Sequence, residues 1–261
     1  MRYSEFLERL TAAEGLERDW KRIHQAASDN LTHHDICENL CKHITFDSMI
    51  DAGPGSIGSE AWSINILKPE CTIYGFEPGE TRYQLLKDSS YPGILHQMAL
   101  SNKEGELEGG MGFEEGRSDF LTNANKLCYK LGLYKKTYVK STTIDNVIQA
   151  NELNNVLIWA DIEGAEYSLL EGAKKSFEQK KIAGFWTELN FSRDPTQTNF
   201  CSYKDVIKIL DKYGFRSVTP IRVHTSDQVY QVPWYGTHAD CLFLPQDHAL
   251  FDNSTGDKAN E

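Results

Sequence analysis

The sequence predicts an α/β fold: a mostly parallel sheet with helices on both faces, an antiparallel edge strand, and helices ahead of it at the N-terminus. Three observations predict it. From residue 46 onward, short β-rich runs alternate with helical patterns, the arrangement of parallel strands joined by crossover helices. The first run ends in an acid and a glycine turn, FDSMIDAGPGSIGSEAW from Phe46 to Trp62. The last two runs, FRSVTPIRV and DCLFLP, have no helical pattern between them, which allows an antiparallel excursion at one edge.

Taken in order, residues 1–45 read as helical. Apolar residues in YSEFLERLTAAEGLERDWKRI recur at helical spacing, and Thr32 followed by Asp35 resembles a capping pair for HHDICENLCKHI. The strand runs are FDSMID (46–51), CTIYGFE (71–77), ILHQMAL (94–100), YVKSTT (138–143), NVLIWADI (155–162), IAGFWTELN (182–190) and FRSVTPIRV (215–223). Helical patterns lie between several of them: SEAWSINILK, ETRYQLLKDS, AEYSLLEGAKKSFEQ and YKDVIKILDKYG. The last has Val206, Ile207, Leu210 and Tyr213 on one face and Gly214 as its C-cap. Residues 101–137 are rich in glycine, then in lysine and tyrosine, and read as a long loop or lid. Residues 246–261 are polar and read as a disordered tail. The expected organisation is a helical segment 1–45, a domain 46–245 and a tail 246–261.

Composition narrows the function. A chain of 261 residues, 40% hydrophobic and 25% charged, suits one large domain with a small N-terminal addition. A formal net charge of −11 disfavours broad contact with nucleic-acid phosphates or anionic lipid. The stretch KLCYKLGLYKKTYVK (126–140) is a local exception that reads as a solvated lid or a grip on an acidic acceptor. The charged start MRYSEFLERL does not resemble a signal peptide. No apolar run reaches the roughly 18 residues of a membrane helix. Six scattered cysteines read as reduced thiols of a cytoplasmic protein. His33, His34, Cys37 and Cys41 invite a zinc reading. Cys37 and Cys41 lie four apart on one helix, however, and no second pair has zinc-finger spacing, so packing is expected and no metal.

A strand, a glycine turn and a helix place backbone N–H groups at a helix N-terminus, where a polar ligand is attracted. Gly53, Gly55 and Gly58 fit the dinucleotide fingerprint; Asp51 with Gly53 and Gly55 fits a methyltransferase turn equally well. A tight turn with no ligand gives the same pattern. The next strand ends at Glu77, where a carboxylate can accept both ribose hydroxyls of an adenosine in either class. Pro78 turns the chain away.

Further motifs follow in order: MALSNKEGELE (98–108), TTIDNVI (142–148) and ADIEGAEYSLLEGA (160–173). Together with DAGPG and FEP, they resemble the FkbM-type family of S-adenosylmethionine-dependent methyltransferases. The resemblance spans about residues 46 to 245 and rests on five motifs in register. It implies a Rossmann-like methyltransferase fold with a mostly parallel seven-stranded sheet. It implies S-adenosylmethionine as cofactor and methyl transfer to a hydroxyl of a sugar, glycan or natural-product small molecule, with nucleic acid disfavoured as partner. Carried across, Asp51, Gly53, Pro54 and Gly55 wrap the methionine end and Glu77, followed by Pro78, binds the ribose. Met98 and Ala99 lie near the adenine, and Asp161 faces the sulfonium and the acceptor. The sequence departs from the pattern at Pro54-Gly55, where the family has Ala-Asn, at Ile57, where it has glycine, and at Trp159, where lysine is common.

Transfer to an alcohol needs alignment and a base for the hydroxyl proton. Asp161, Glu163 and Glu188 fall at the C-terminal ends of predicted strands, where such folds bind ligands, and are the candidate catalytic groups. Glu163 and Glu166 also suit the first turn of a helix as dipole-stabilising acids. Clustered carboxylates can alternatively hold Mg²⁺. His224 and His238 are further candidate bases, though surface or packed positions account for them as well. Two other classes remain open: an NAD-type oxidoreductase, and a non-catalytic binding module that kept the fold.

Overall fold

A computed structural model describes residues 33–112, 118–119, 134–162, 164–190, 203–224 and 238–251. Helix α1 (His33–His43) leads into β1 (Ser48–Ala52), α2 (Ser59–Leu67), β2 (Thr72–Phe76), α3 (Glu80–Asp88) and β3 (Ile94–His96). A second group follows: β4 (Ala99–Leu100), β5 (Gly105–Gly112), β6 (Ser118–Asp119) and β7 (Tyr134–Thr142). The chain then returns through α4 (Ile144–Ala150), β8 (Val156–Ala160), α5 (Glu166–Glu171), α6 (Lys174–Glu178) and β9 (Ile182–Asn190). It finishes with α7 (Tyr203–Lys212), β10 (Phe215–His224) and β11 (His238–Pro245).

The main sheet has seven strands in the order β10-β11-β9-β8-β1-β2-β3. β1 runs parallel to both β2 and β8, and β8 runs parallel to β9. This is the doubly wound α/β arrangement expected. β1 and β8 are buried at every position, because helices cover both faces of a parallel sheet. The antiparallel strand is not the edge itself. β11 pairs antiparallel with β9 on one side and β10 on the other, so β10 takes the edge.

Period-two alternation splits the core in two. Ile50, Ile158 and Phe185 face one side, under α4, α5 and α7, with Ile144, Leu169 and Leu210 packed against them. Met49, Leu157, Trp159, Trp186 and Leu242 face the other, where α1 contributes Ile36 and Leu40 and α2 contributes Ala61 and Ile64. Cys37, fully buried, and half-buried Cys41 join this second core. α7 forms as its pattern requires: Val206 and Leu210 are buried, and Gly214 follows its last turn.

Three expectations change. The run ILHQMAL divides at Gln97–Met98: β3 stays in the main sheet, while β4 joins a second sheet of order β4-β7-β5-β6. The expected 101–137 loop therefore holds a strand at each end, with β5 antiparallel to β7; most of the segment between them lies outside the described residues. Residues 246–251, expected in the disordered tail, are instead ordered, because Leu250 and Phe251 pack against the second core. Residues 1–32, 252–261 and the predicted cap Thr32 lie outside the described residues.

Several motifs act as staples. Thr143 caps α4 by accepting from the Asn146 N–H at 3.0 Å. Asp145 accepts from the N–H groups of Lys175 and Ser176, at 3.1 and 2.8 Å, and so binds the start of α6. The hydroxyls of Ser101 and Ser168 pair at 3.1 Å, tying the end of β4 to α5.

Candidate active site

The sheet order reverses at β1, whose neighbours are β2 on one side and β8 on the other. The crevice at the strand ends of such a switch point is where doubly wound folds take ligands. The glycine turn crosses it. Gly53 donates its N–H to the Phe76 carbonyl at 3.1 Å, and Asp161 donates to the Ala52 carbonyl at 3.0 Å. Gly53 has φ +83°, and a Cβ there would run into the Asp161 carbonyl oxygen. The turn and the β8 end are thus pressed together, which only glycine permits. Gly55 also has positive φ, +66°, but faces open space. The Gly58 N–H closes the turn onto the Pro54 carbonyl at 3.0 Å.

A cleft of about 290 Å³ opens here, lined by residues 53–60 and 159–161 with Trp186, Glu188 and Asp240. Register explains why they meet. Trp159 pairs with Trp186, and Glu188 sits opposite Asp240 on β11. Alternation projects all four onto the sheet face that α1 and α2 cover, with Asp161 one step beyond Trp159. The two indoles stack with centroids 4.6 Å apart. They wall the cleft below the row Asp161, Glu188 and Asp240.

Asp51 lies deeper on the same face, fully buried. The Tyr91 hydroxyl donates to its Oδ2 at 2.7 Å. Tyr91 reaches it because two glycines leave room: a Cβ on Gly75 would lie 2.7 Å from the tyrosine ring, and one on Gly58 2.9 Å. Burial, then the charges of Glu60, Glu77 and Asp161, push the Asp51 carboxyl well above its usual range, against the Tyr91 hydrogen bond. Burial likewise pushes Glu60 up to about 7. Glu77 is 1% exposed and accepts from the Gly79 N–H at 2.8 Å. Burial raises it to about 7 despite that bond, Arg82 and the Gly55 N–H.

Of the expected site residues, Gly53, Pro54, Gly55, Asp161 and Glu188 line the cleft together. Glu77, Pro78, Met98 and Ala99 stand outside that lining; Glu77 is drawn inward by backbone donors, and Ala99 belongs to the second sheet. Glu163 lies outside the described residues. Glu166, the first residue of α5, accepts from the Gly164 N–H just ahead of the helix at 3.0 Å. His224 and His238 are backbone register partners on β10 and β11. Sequence reasoning missed Glu60, Tyr91, Trp186 and Asp240. Alternation within IAGFWTELN and DCLFLP held the signal for Trp186 and Asp240; nothing local marked Tyr91.

The cleft lining includes four carboxylates, Glu60, Asp161, Glu188 and Asp240, and no lysine, arginine or histidine among the described residues. A dinucleotide pyrophosphate would meet repulsion there, whereas a sulfonium and an ammonium are attracted. S-adenosylmethionine therefore fits the residues present. A family model, the methyltransferase FkbM domain, matches residues 51–217. The chain belongs to the FkbM methyltransferase family. As a family member it is a methyltransferase that uses S-adenosylmethionine, and the dinucleotide reading of the turn is set aside.

No curated protein matches the chain. Among solved structures, this FkbM protein is similar to a TehB-like SAM-dependent methyltransferase from Corynebacterium glutamicum, at 10% identity, 89% of this chain and 97% of that one, TM-score 0.40. It is similar to TrmK from M. capricolum in complex with S-adenosyl-homocysteine, at 9% identity, 84% and 70% coverage, TM-score 0.40. A third is fibrillarin from Aeropyrum pernix in complex with S-adenosyl-L-methionine, at 14% identity, 80% and 73% coverage, TM-score 0.41. Among the described residues, no helix is long and apolar enough to cross a membrane.

Proposed function

We propose that this FkbM protein is an O-methyltransferase acting on a hydroxyl of a sugar, glycan or natural-product small molecule. The observation that carries the reading is the row Asp161, Glu188 and Asp240 at the strand ends, beside the glycine turn and above the stacked indoles. When bound, S-adenosylmethionine supplies an electrophilic methyl group on a sulfonium. The protein's task is then to orient an acceptor oxygen and remove its proton.

Asp161 is the residue we assign next to the reacting centre. It follows β8 directly, and its backbone is fixed to both β1 and the Gly53 turn. Glu188 and Asp240, opposite each other across β9 and β11, hold acceptor hydroxyls or take the proton. Gly53, Pro54 and Gly55 bound the cofactor's methionine end, and Glu77 at the β2 tip takes the ribose by exchanging its backbone donor for hydroxyls. Met98 and Ala99 lie toward the adenine. Four free cysteines among the described residues suit a reducing cytoplasmic setting.

The test is a transfer assay with S-adenosylmethionine and parallel panels of polyols and glycosides, primary amines, and RNA. The expected product is a sugar or polyol one methyl heavier, with S-adenosylhomocysteine formed in equal amount. Transfer confined to amines or RNA sinks the acceptor assignment. Cofactor binding with no transfer to any panel leaves the binding-module reading in its place.

A further inference from the structure

A helix at a protein surface ordinarily turns its apolar side chains inward and its polar ones to water. α2 does the reverse. Its buried positions include Glu60 and Ser63, beside Ala61 and Ile64. Its outward positions include Trp62 and Ile66, 36% and 67% exposed. These two lie four residues apart and so share one face of the helix. Ile57, just ahead of α2, is 71% exposed and also lines the cleft. A single exposed apolar side chain needs no explanation; three on and beside one short helix mark a surface that something covers.

The buried side of α2 is already occupied. The Ser63 hydroxyl donates to the Ser59 carbonyl at 2.7 Å, so its burial leaves no donor unmet. Ile36 and Leu40 of α1 share a core with Ala61 and Ile64, and the Cys37 thiol meets the Glu60 carbonyl at 3.8 Å. α1 therefore covers the inner positions of α2 and leaves Trp62 and Ile66 in water. The sequence supplies a matching surface directly ahead of α1. Within YSEFLERLTAAEGLERDWKRI, Phe6, Leu7, Leu10, Leu16, Trp20 and Ile23 recur at helical spacing among charged residues. Cys37, in the first half of α1, touches the first turn of α2, so the chain enters α1 close to that turn. Extended, residues 24–32 can span about 30 Å, whereas α2 is only about 13 Å long. Residues 3–23 can thus reach its outward face.

We propose that the outward face of α2 is an interaction surface for the chain's own residues 3–23, with Trp62 and Ile66 as its apolar anchors. Removing those two side chains from water, together with the apolar positions that meet them, drives the contact. The surface ends at Ile57, so the segment seated on it borders the mouth of the cleft. The inference stands on the polarity of α2 and on the chain ahead of α1, and is independent of the acceptor.

A photo-activated benzophenone side chain placed at position 66 of the full chain tests this directly. A mixture of isotope-light and isotope-heavy protein is irradiated, digested and read by mass spectrometry. The expected links join position 66 to residues 3–23 of the same chain. Links between light and heavy copies assign the face to a second copy of the protein and overturn the proposal. Links to any other part of the chain, or none, overturn it as well. Ile66→Glu gives an independent reading at a side chain that the described residues leave exposed. A charge there should release the segment, so that trypsin cuts after Arg9, Arg18, Lys21 and Arg22 about tenfold faster, with cleavage elsewhere in the chain unchanged. Equal rates at those four sites in the variant and the wild-type protein overturn the surface.

Discussion

Trp159 and Trp186 stack across β8 and β9 with ring planes 12° from parallel, both nearly inaccessible at 4% and 2% exposure. Trp159 stands where the family pattern often has lysine, so here the wall of the cleft is packed instead of charged. Trp159→Ala removes the stack and leaves a cavity, which should cost about 3–5 kcal/mol. Urea unfolding followed by circular dichroism reads the loss; a midpoint equal to wild type would show that the stack holds nothing.

The two glycines of the turn should respond differently. Gly53→Ala forces a side chain into the Asp161 carbonyl at φ +83°. It should abolish S-adenosylhomocysteine binding and lower the melting temperature. Gly55→Ala meets no atom within 4 Å, so its effect is limited to the backbone conformation, about 1 kcal/mol. Equal behaviour of the two variants in a thermal-shift assay with ligand contradicts the close-approach account.

Glu77→Ala should weaken S-adenosylhomocysteine by about 1.5–3 kcal/mol, the loss of hydrogen bonds to a charged group. Because Glu77 titrates at about 7 and ribose hydroxyls favour its ionised form, wild-type affinity for 5′-methylthioadenosine should rise from pH 6 to pH 8 and become flat in the variant. An unchanged affinity takes Glu77 out of the site.

Asp161→Asn preserves shape and the backbone bond to Ala52. It should reduce turnover by about 10²-fold or more while shifting the melting temperature little. Full activity on an identified acceptor removes Asp161 from the chemistry.

The ligand-free protein should lose stability as pH rises. Glu60 and Glu77 go from a usual 4.5 to about 7 in the fold. Each holds a proton in the folded state that the unfolded chain has released. Their contribution is therefore complete below about pH 4.5 and fades as pH passes 7, by up to about 3 kcal/mol per group. Melting temperatures between pH 5 and pH 8 should fall, and Glu60→Gln should flatten the slope. A rise over that range contradicts the burial of these acids.

The strand and helix order was legible because central parallel strands announce themselves as apolar runs: SMIDA and VLIWA are buried throughout. The site was half legible. Gly53, Asp161 and Glu188, which line the candidate cleft, were readable because chemistry and turn geometry restrict those positions locally. Tyr91 could not, since its role depends on Gly58 and Gly75 clearing space from two other elements. Asp240 required the β9–β11 register, which no local pattern encodes. The split of ILHQMAL between two sheets was likewise a matter of tertiary pairing, with Ala99 claimed by Ser141.

Asp145, which grips the start of α6, and the Ser101–Ser168 pair belong to motifs that carry the family resemblance, and here these three residues tie elements together. Their duty outlasts any reaction. A copy that lost Asp161 and Glu188 to drift would still need every one of those ties to stand. Architecture and chemistry thus rest on different side chains: the ties hold the elements in register, and the assigned chemistry depends on the few residues that rim the cleft.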